Sequence, residues 1–184
     1  MYLGSVDEPY YFMMSGLCHD LGKITTTAEI KGRIHAYGHE TEGVKIAREL
    51  IRRISANNSL LAYVKNMVLL HMQPNTMYND QSKIKSTNRM FDQARHPVDL
   101  IYLALADRGG DVQDVKAFLF ERYEIYKEYM ARPYVNGDDL RKAGVEPDPY
   151  FRDYLAYARK LRLAGVDKES ALKQTLDYIK KYKK

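Results

Sequence analysis

The sequence predicts an all-α fold, and three observations carry that prediction. Apolar residues recur at spacings of three and four through most of the chain, the periodic segments end on Gly, Asn or Pro signals, and a single short stretch has strand character. Residues 9–20 hold Tyr10, Phe12, Met13, Met14 and Leu17, which reads as a helix too apolar all round for the surface, stopped at Gly22. Ile24 to Tyr37 (ITTTAEIKGRIHAY) is the exception. Its consecutive threonines, β-branched neighbours and Lys31–Gly32 turn predict a short β-hairpin or an extended loop. Helical spacing returns over 39–55 with Val44, Ala47, Leu50, Ile51 and Ile54. Asn57 and Asn58 read as caps before a helix of Leu60, Leu61, Val64, Met67, Val68 and Leu70. Pro97 suits the first turn of a helix through Leu100, Leu103, Ala104 and Asp107, closed by Gly109–Gly110. A long amphipathic helix from about Val112 to Met130 stops before Pro133. Beyond Val135 the texture changes to Asn136-Gly137-Asp138-Asp139 and Pro147-Asp148-Pro149. Helices over about 149–164 and 167–182, separated by Gly165, then make residues 134–184 a helical C-terminal appendage.

Composition bounds the class. A chain of 184 residues with 45% apolar and 29% charged residues is expected to fold as one domain with a small appendage. Its one cysteine, Cys18, excludes an internal disulfide framework and any cysteine-based zinc cluster. No apolar run approaches the ~20 residues that span a bilayer, and MYLGSVDE lacks the features of a signal peptide. The expectation is a cytoplasmic protein without a membrane partner. The net charge of +5 is uneven: from Arg152 to Lys184 ten basic residues face four acidic, while the rest of the chain is close to neutral. Such a tail either attracts phosphate-bearing partners or serves as a solvated face.

The chemistry centres on His19-Asp20, at the end of a very apolar segment. Neighbouring residues on a helix point about 100° apart, so the two cannot chelate as an (i, i+4) pair. They can converge on one metal, or Asp20 can bridge two, if other helices supply the remaining ligands. His39 begins one predicted helix, His71 ends another, and Asp107 lies near the end of a third. Each alone is more often a cap or a satisfied polar group. The ordered set His-Asp, His, His, Asp, one from each helix end, is how a helical bundle builds a metal site.

Leu17-Cys18-His19-Asp20-Leu21-Gly22-Lys23, then Gly38-His39-Glu40 with Gly43, then His71 and Asp107, resembles the HD superfamily of metal-dependent phosphohydrolases. Within it, Gly43-Val44-Lys45-Ile46-Ala47, the segment Asp99 to Asp107 and Asn136-Gly137-Asp138-Asp139-Leu140 are similar to the HD region of bacterial tRNA nucleotidyltransferases, the CCA-adding enzymes. The resemblance implies an HD-domain helical bundle over 1–133, lacking the family's first helix, before the 134–184 appendage. It implies a divalent metal ion (Mn, Co, Ni, Fe, Zn or Mg) held by His19, Asp20 and Asp107, with His39 and His71 for a second ion and Asp20 between them. Lys23 and Arg108 would stabilise phosphate oxygens, so the catalytic set is Asp20, Lys23 and Arg108.

The sequence departs from the family twice. The family's first ligand histidine lies upstream of the dyad, and none of the eighteen residues before His19 is a histidine. Nor does a Gly-Gly loop with paired carboxylates supply a nucleotidyltransferase head. Met1 is therefore expected to be an internal start, a shortened product or a designed fragment, with weak metal binding and no CCA addition. The expected activity is hydrolysis of a nucleotide or RNA-end phosphoester; the alternative is a non-catalytic tRNA-binding module. His35 and His96 are expected in surface or capping roles and Cys18 as a buried inert thiol. The tyrosine stripes Tyr123, Tyr126, Tyr129 and Tyr150, Tyr154, Tyr157 are expected as packing.

Overall fold

A computed structural model describes residues 3–182, so Lys183 and Lys184, the end of the basic tail, lie outside the described residues. The described residues are helical apart from one two-stranded hairpin. After a single 3-10 turn, Leu3–Ser5, the order is α1 (Pro9–Cys18), α2 (Lys23–Thr26), β1 (Ala28–Ile30), β2 (Arg33–His35), α3 (His39–Ile54), α4 (Asn58–Leu70), α5 (Met72–Asn79), α6 (Ile84–Gln93) and α7 (Pro97–Arg108). Then follow α8 (Gln113–Ala131), α9 (Gly137–Lys142), α10 (Phe151–Leu163) and α11 (Lys168–Tyr182). No helix among the described residues is long and apolar enough to cross a membrane.

The chain forms two compact units. One holds the residues up to Ser82 with Met90–Glu121; the other holds Lys83–Arg89 and the chain from Arg122 onward. The first unit is built on α1, α3 and α4. Cys18, Ala47, Ile51, Leu60, Leu61, Val64 and Val68 form its core, with Tyr11, Met14 and Leu21 packed on them. Asn57 caps α4, its side chain accepting from Ser59 and Leu60 N–H. In the second unit Val135, Leu140, Tyr154, Ala158, Ala171 and Ile179 form a separate core.

Three local expectations are corrected. α1 is not buried all round: Tyr10, Met13 and Leu17 are 51%, 49% and 63% exposed, because only the Tyr11, Met14 and Cys18 side meets the core. The hairpin is shorter than its sequence signal. Ala28 pairs with His35 and Ile30 with Arg33 around Lys31–Gly32, both at positive φ as a two-residue turn requires. Thr25 and Thr26 instead join α2, their hydroxyls donating back to the Gly22 carbonyl at 3.2 and 3.0 Å. Finally the structure adds α5, α6 and α9 to the helices expected from sequence. α9 is nucleated by a capping box in which the Asn136 side chain accepts from Asp138 and Asp139 N–H, while the Asp139 carboxylate accepts from Asn136 N–H.

Candidate metal centre

The candidate ligands are end members of buried stripes. His39 continues Gly43, Ala47 and Ile51 at intervals of four along α3. His71 follows Leu61, Val64 and Val68, and Asp107 follows Leu100 and Ala104. His19 lies one turn beyond Ser15 and two beyond Phe12. Each stripe faces the first unit's interior, so packing itself aims the four helix ends at one place.

Asp20 is common to two clusters: Asp20 with His39 and His71, and Asp20 with His19 and Asp107. Its oxygens divide between them. Oδ1 lies 3.5 Å from His39 Nε2 and 3.9 Å from His71 Nε2, while Oδ2 lies 3.3 Å from His19 Nε2. His19 Nε2 is 3.2 Å from Asp107 Oδ1, and the Nε2 atoms of His39 and His71 are also 3.2 Å apart.

These contacts set acceptor against acceptor. The Nδ1 atoms of His19, His39 and His71 lie 2.7, 2.8 and 2.7 Å from the carbonyls of Gly16, Ala36 and Val68. A carbonyl only accepts, so each Nδ1 carries the proton and each Nε2 presents its lone pair. Two lone pairs at 3.2 Å, or a lone pair against a carboxylate oxygen, repel unless a proton or a cation stands between them. Around a first-row metal with bonds of about 2.0–2.2 Å, neighbouring ligand atoms lie about 3 Å apart. The donor set and its spacing fit such an ion.

Charge points the same way. His71 is fully buried, and burial pushes its pKa down although the bond to the Val68 carbonyl opposes this, which keeps the ring in its neutral, ligating form. Partial burial pushes the Asp20 carboxyl up, but the Lys23 hydrogen bond, the facing His19 and His71 rings and the Lys23 charge together bring it below its ordinary value. Lys23 donates to Asp20 Oδ2 at 2.7 Å. Arg108 turns elsewhere: it donates to Asn79 Oδ1 at 3.1 Å and lies 5.3 Å from the Tyr78 ring centre. His35 stacks on Tyr37, and Cys18 is fully buried, with burial raising its thiol pKa.

One polar residue gives no sign of itself in the sequence. Asn75 lies one helical turn past His71, donates to the Ala104 carbonyl at 2.9 Å, and buries an Oδ1 with no hydrogen-bond partner among the described residues. Its signal, a position four beyond His71, becomes visible only once α5 is recognised.

A second buried polar pair lies at the start of α7. Asp99 is 3% exposed and accepts from the Tyr63 hydroxyl at 2.5 Å. Burial pushes the Asp99 carboxyl above its ordinary 3.8, the Tyr63 bond opposing. The folded state therefore holds a proton that the unfolded chain has released, and stability falls as pH rises through that window. Asp99→Asn cannot ionise yet still accepts from Tyr63. Its stability relative to wild type should rise as pH increases above about 4 in urea titrations, whereas a constant difference would contradict the assignment.

Comparison with known proteins bears on this geometry. The family model of the HD domain matches residues 5–108. The chain is similar to the Multifunctional CCA protein of Actinobacillus pleuropneumoniae serotype 5b (strain L20), 33% identical over 81 residues, which are 44% of this chain and 18% of that protein. It is also similar to the Multifunctional CCA protein of Pasteurella multocida (strain Pm70), 26% identical over 137 residues, which are 72% of this chain and 32% of that protein. The chain thus spans less than a third of the length of these relatives. No solved structure matches it.

Proposed function

The chain belongs to the HD domain family, a superfamily of metal-dependent phosphohydrolases, and on that premise we propose that it hydrolyses the phosphoester of a nucleotide or an RNA end. The observation that carries the reading is the Asp20 carboxylate shared between two histidine clusters whose Nε2 lone pairs face inward. His39, His71 and Asp20 would hold one divalent cation, and His19, Asp20 and Asp107 another. The imidazole-carboxylate mixture favours Mn, Fe, Co, Ni or Zn over Mg. Such a cation supplies charge neutralisation at the phosphate and acidification of water.

The remaining work falls to the chain. The backbone carbonyls of Gly16, Ala36 and Val68 fix the three imidazole tautomers, so no proton need leave before a ligand enters. Lys23, half-exposed beside Asp20, swings its ammonium onto a phosphate oxygen when substrate arrives. Arg108 acts on phosphate only after releasing Asn79, a smaller role than the sequence suggests. Each ion would take three protein ligands from the described residues, so binding is expected to be weak and exchangeable and hydrolysis to be stimulated by added Mn, Co or Ni. The test is turnover of a 2′,3′-cyclic nucleotide and a generic phosphomonoester with each metal, beside elemental analysis of the purified protein. Absence of turnover with every metal would remove the hydrolase reading.

The basic tail favours the second reading, an RNA-binding module, here taken as an accompanying property. Lys180 and Lys181 are exposed on α11, and the relatives are CCA proteins. Replacing Lys180, Lys181, Lys183 and Lys184 together with Gln should weaken tRNA binding and flatten its salt dependence by up to about 0.7–0.9 per charge removed. Binding unchanged across salt would leave the tail as a solvated face.

A further inference from the structure

Asn75 carries an oxygen that the rest of the chain leaves unanswered. The residue is half-buried, but its Oδ1 is shut from solvent and has no hydrogen-bond partner among the described residues. Turning the amide over does not cure this. Its Nδ2 lies 2.9 Å from the Ala104 carbonyl, and a carbonyl only accepts, so the nitrogen must face Ala104 and the oxygen must face away. A buried acceptor without a donor is destabilising, and it calls for a donor from outside the chain.

The fold says where that donor comes from. His71 has helical backbone angles and joins α4 to α5, so Asn75, four residues on, projects from the same helix face at about 5–6 Å. Ala104, which the amide grips, is fully buried on α7 one turn before Asp107. Asn75 thus ties the helix that follows His71 to the helix that ends in Asp107, and the Asp107 charge is close enough to act on the His71 ring. Asn79, one turn further along α5, makes a similar bridge to α7 through Arg108, but at the exposed surface and with its oxygen already met. Of the two asparagines in line with His71, the one beside the ligand has the unmet oxygen.

We propose that Asn75 Oδ1 faces the cation of the His39, His71 and Asp20 cluster and accepts a hydrogen bond from the water that completes its coordination. Water on a divalent cation is a strengthened donor, and the Ala104 carbonyl holds the amide so that its oxygen meets it. Asn75 is then a positioning residue of the metal centre and not a ligand. This assignment rests on the metal-dependent reading above.

The test titrates cobalt(II) into the full chain, freed of metal with EDTA, by calorimetry and visible absorption, and records thermal unfolding with and without the ion. Asn75→Leu removes the unmet acceptor together with its amide. Without metal it should unfold at the temperature of wild type or higher, while cobalt affinity falls about tenfold. Asn75→Asp puts a negative charge where the oxygen stands. Cobalt should then bind at least about tenfold more tightly, and the ion should raise the unfolding temperature more than it does for wild type. Asn79→Asp adds the same charge at the exposed surface beside Arg108 and should change cobalt affinity by less than about twofold. Unchanged cobalt affinity in either Asn75 variant overturns the proposal and leaves the metal-dependent reading standing. Where Asn75→Leu fails to fold, Asn75→Asp decides alone. Absence of cobalt binding by wild type overturns the proposal and the metal-dependent reading together.

Discussion

Asp20→Ala is expected to abolish both divalent-metal binding and phosphoester hydrolysis. Asp20 is the one residue common to both ligand clusters, and its two oxygens face different histidines. Removing it leaves His39 and His71 as a bare pair and His19 with Asp107 as another. Loss of a partner behind a ligand already costs about 10–100-fold in affinity or activity, so loss of a shared ligand should exceed about 100-fold at each centre. The fold should survive, because Asp20 is only half-buried and its ionic partner Lys23 is about half exposed to water. His35→Ala, on the hairpin and stacked on Tyr37, should change neither property. Calorimetry with Mn and rates on the cyclic nucleotide test this together. A variant that hydrolyses as fast as wild type would remove Asp20 from the chemistry, and one that binds metal normally would dissolve the shared-ligand assignment.

Much of this arrangement can be read from the sequence, for a physical reason. The long helices show because each buries one apolar stripe, and a stripe leaves a period. The candidate ligands show because an imidazole buried at the end of such a stripe, as at His71 after Val68 or His39 before Gly43, needs compensation where it lies. What stays hidden is what local pattern does not encode. Met72 to Asn79 folds as α5 although Gln73-Pro74-Asn75 carries no apolar period of its own, whereas α6 does leave one, with Thr87, Met90 and Phe91 buried at helical spacing between polar neighbours. The threonines of α2 look like strand formers until their hydroxyls find the Gly22 carbonyl, and that option depends on the turn before them. Lys23 and Arg108 look equivalent in sequence, each beside a candidate ligand. Only tertiary packing distinguishes them, one bonded to Asp20 and the other drawn to Asn79 and Tyr78.

Gly22→Ala is expected to damage the metal centre without touching a ligand. Gly22 has ordinary helical backbone angles, so its role is not conformational freedom. It is space. A Cβ there would lie 1.9 Å from the His39 carbonyl oxygen and 2.7 Å from the Gly43 nitrogen. Both neighbours are backbone, and neither can rotate away as a side chain would. The start of α3 must shift, and His39 with it, whereas a preorganised site tolerates only about 0.5 Å of displacement. Overpacking commonly costs about 1–3 kcal/mol, and a backbone clash belongs at the upper end. Gly43→Ala should be milder, since its Cβ meets the Val68 Cγ1 methyl at 3.1 Å and the Gly22 nitrogen at 3.3 Å, contacts that a shift of a few tenths of an ångström relieves. Gly16→Ala provides the contrast. Nothing lies within 4 Å of its Cβ, and its carbonyl, which holds His19 Nδ1, is retained. In the middle of α1 that change should be neutral or stabilise by about 0.5–1 kcal/mol, with metal affinity unaltered. Thermal unfolding and Mn calorimetry on the three alanine variants should therefore rank them Gly16, Gly43, Gly22 in increasing damage. If Gly22→Ala matched Gly16→Ala in both measurements, the close approach of α2 to α3 would not be what positions His39.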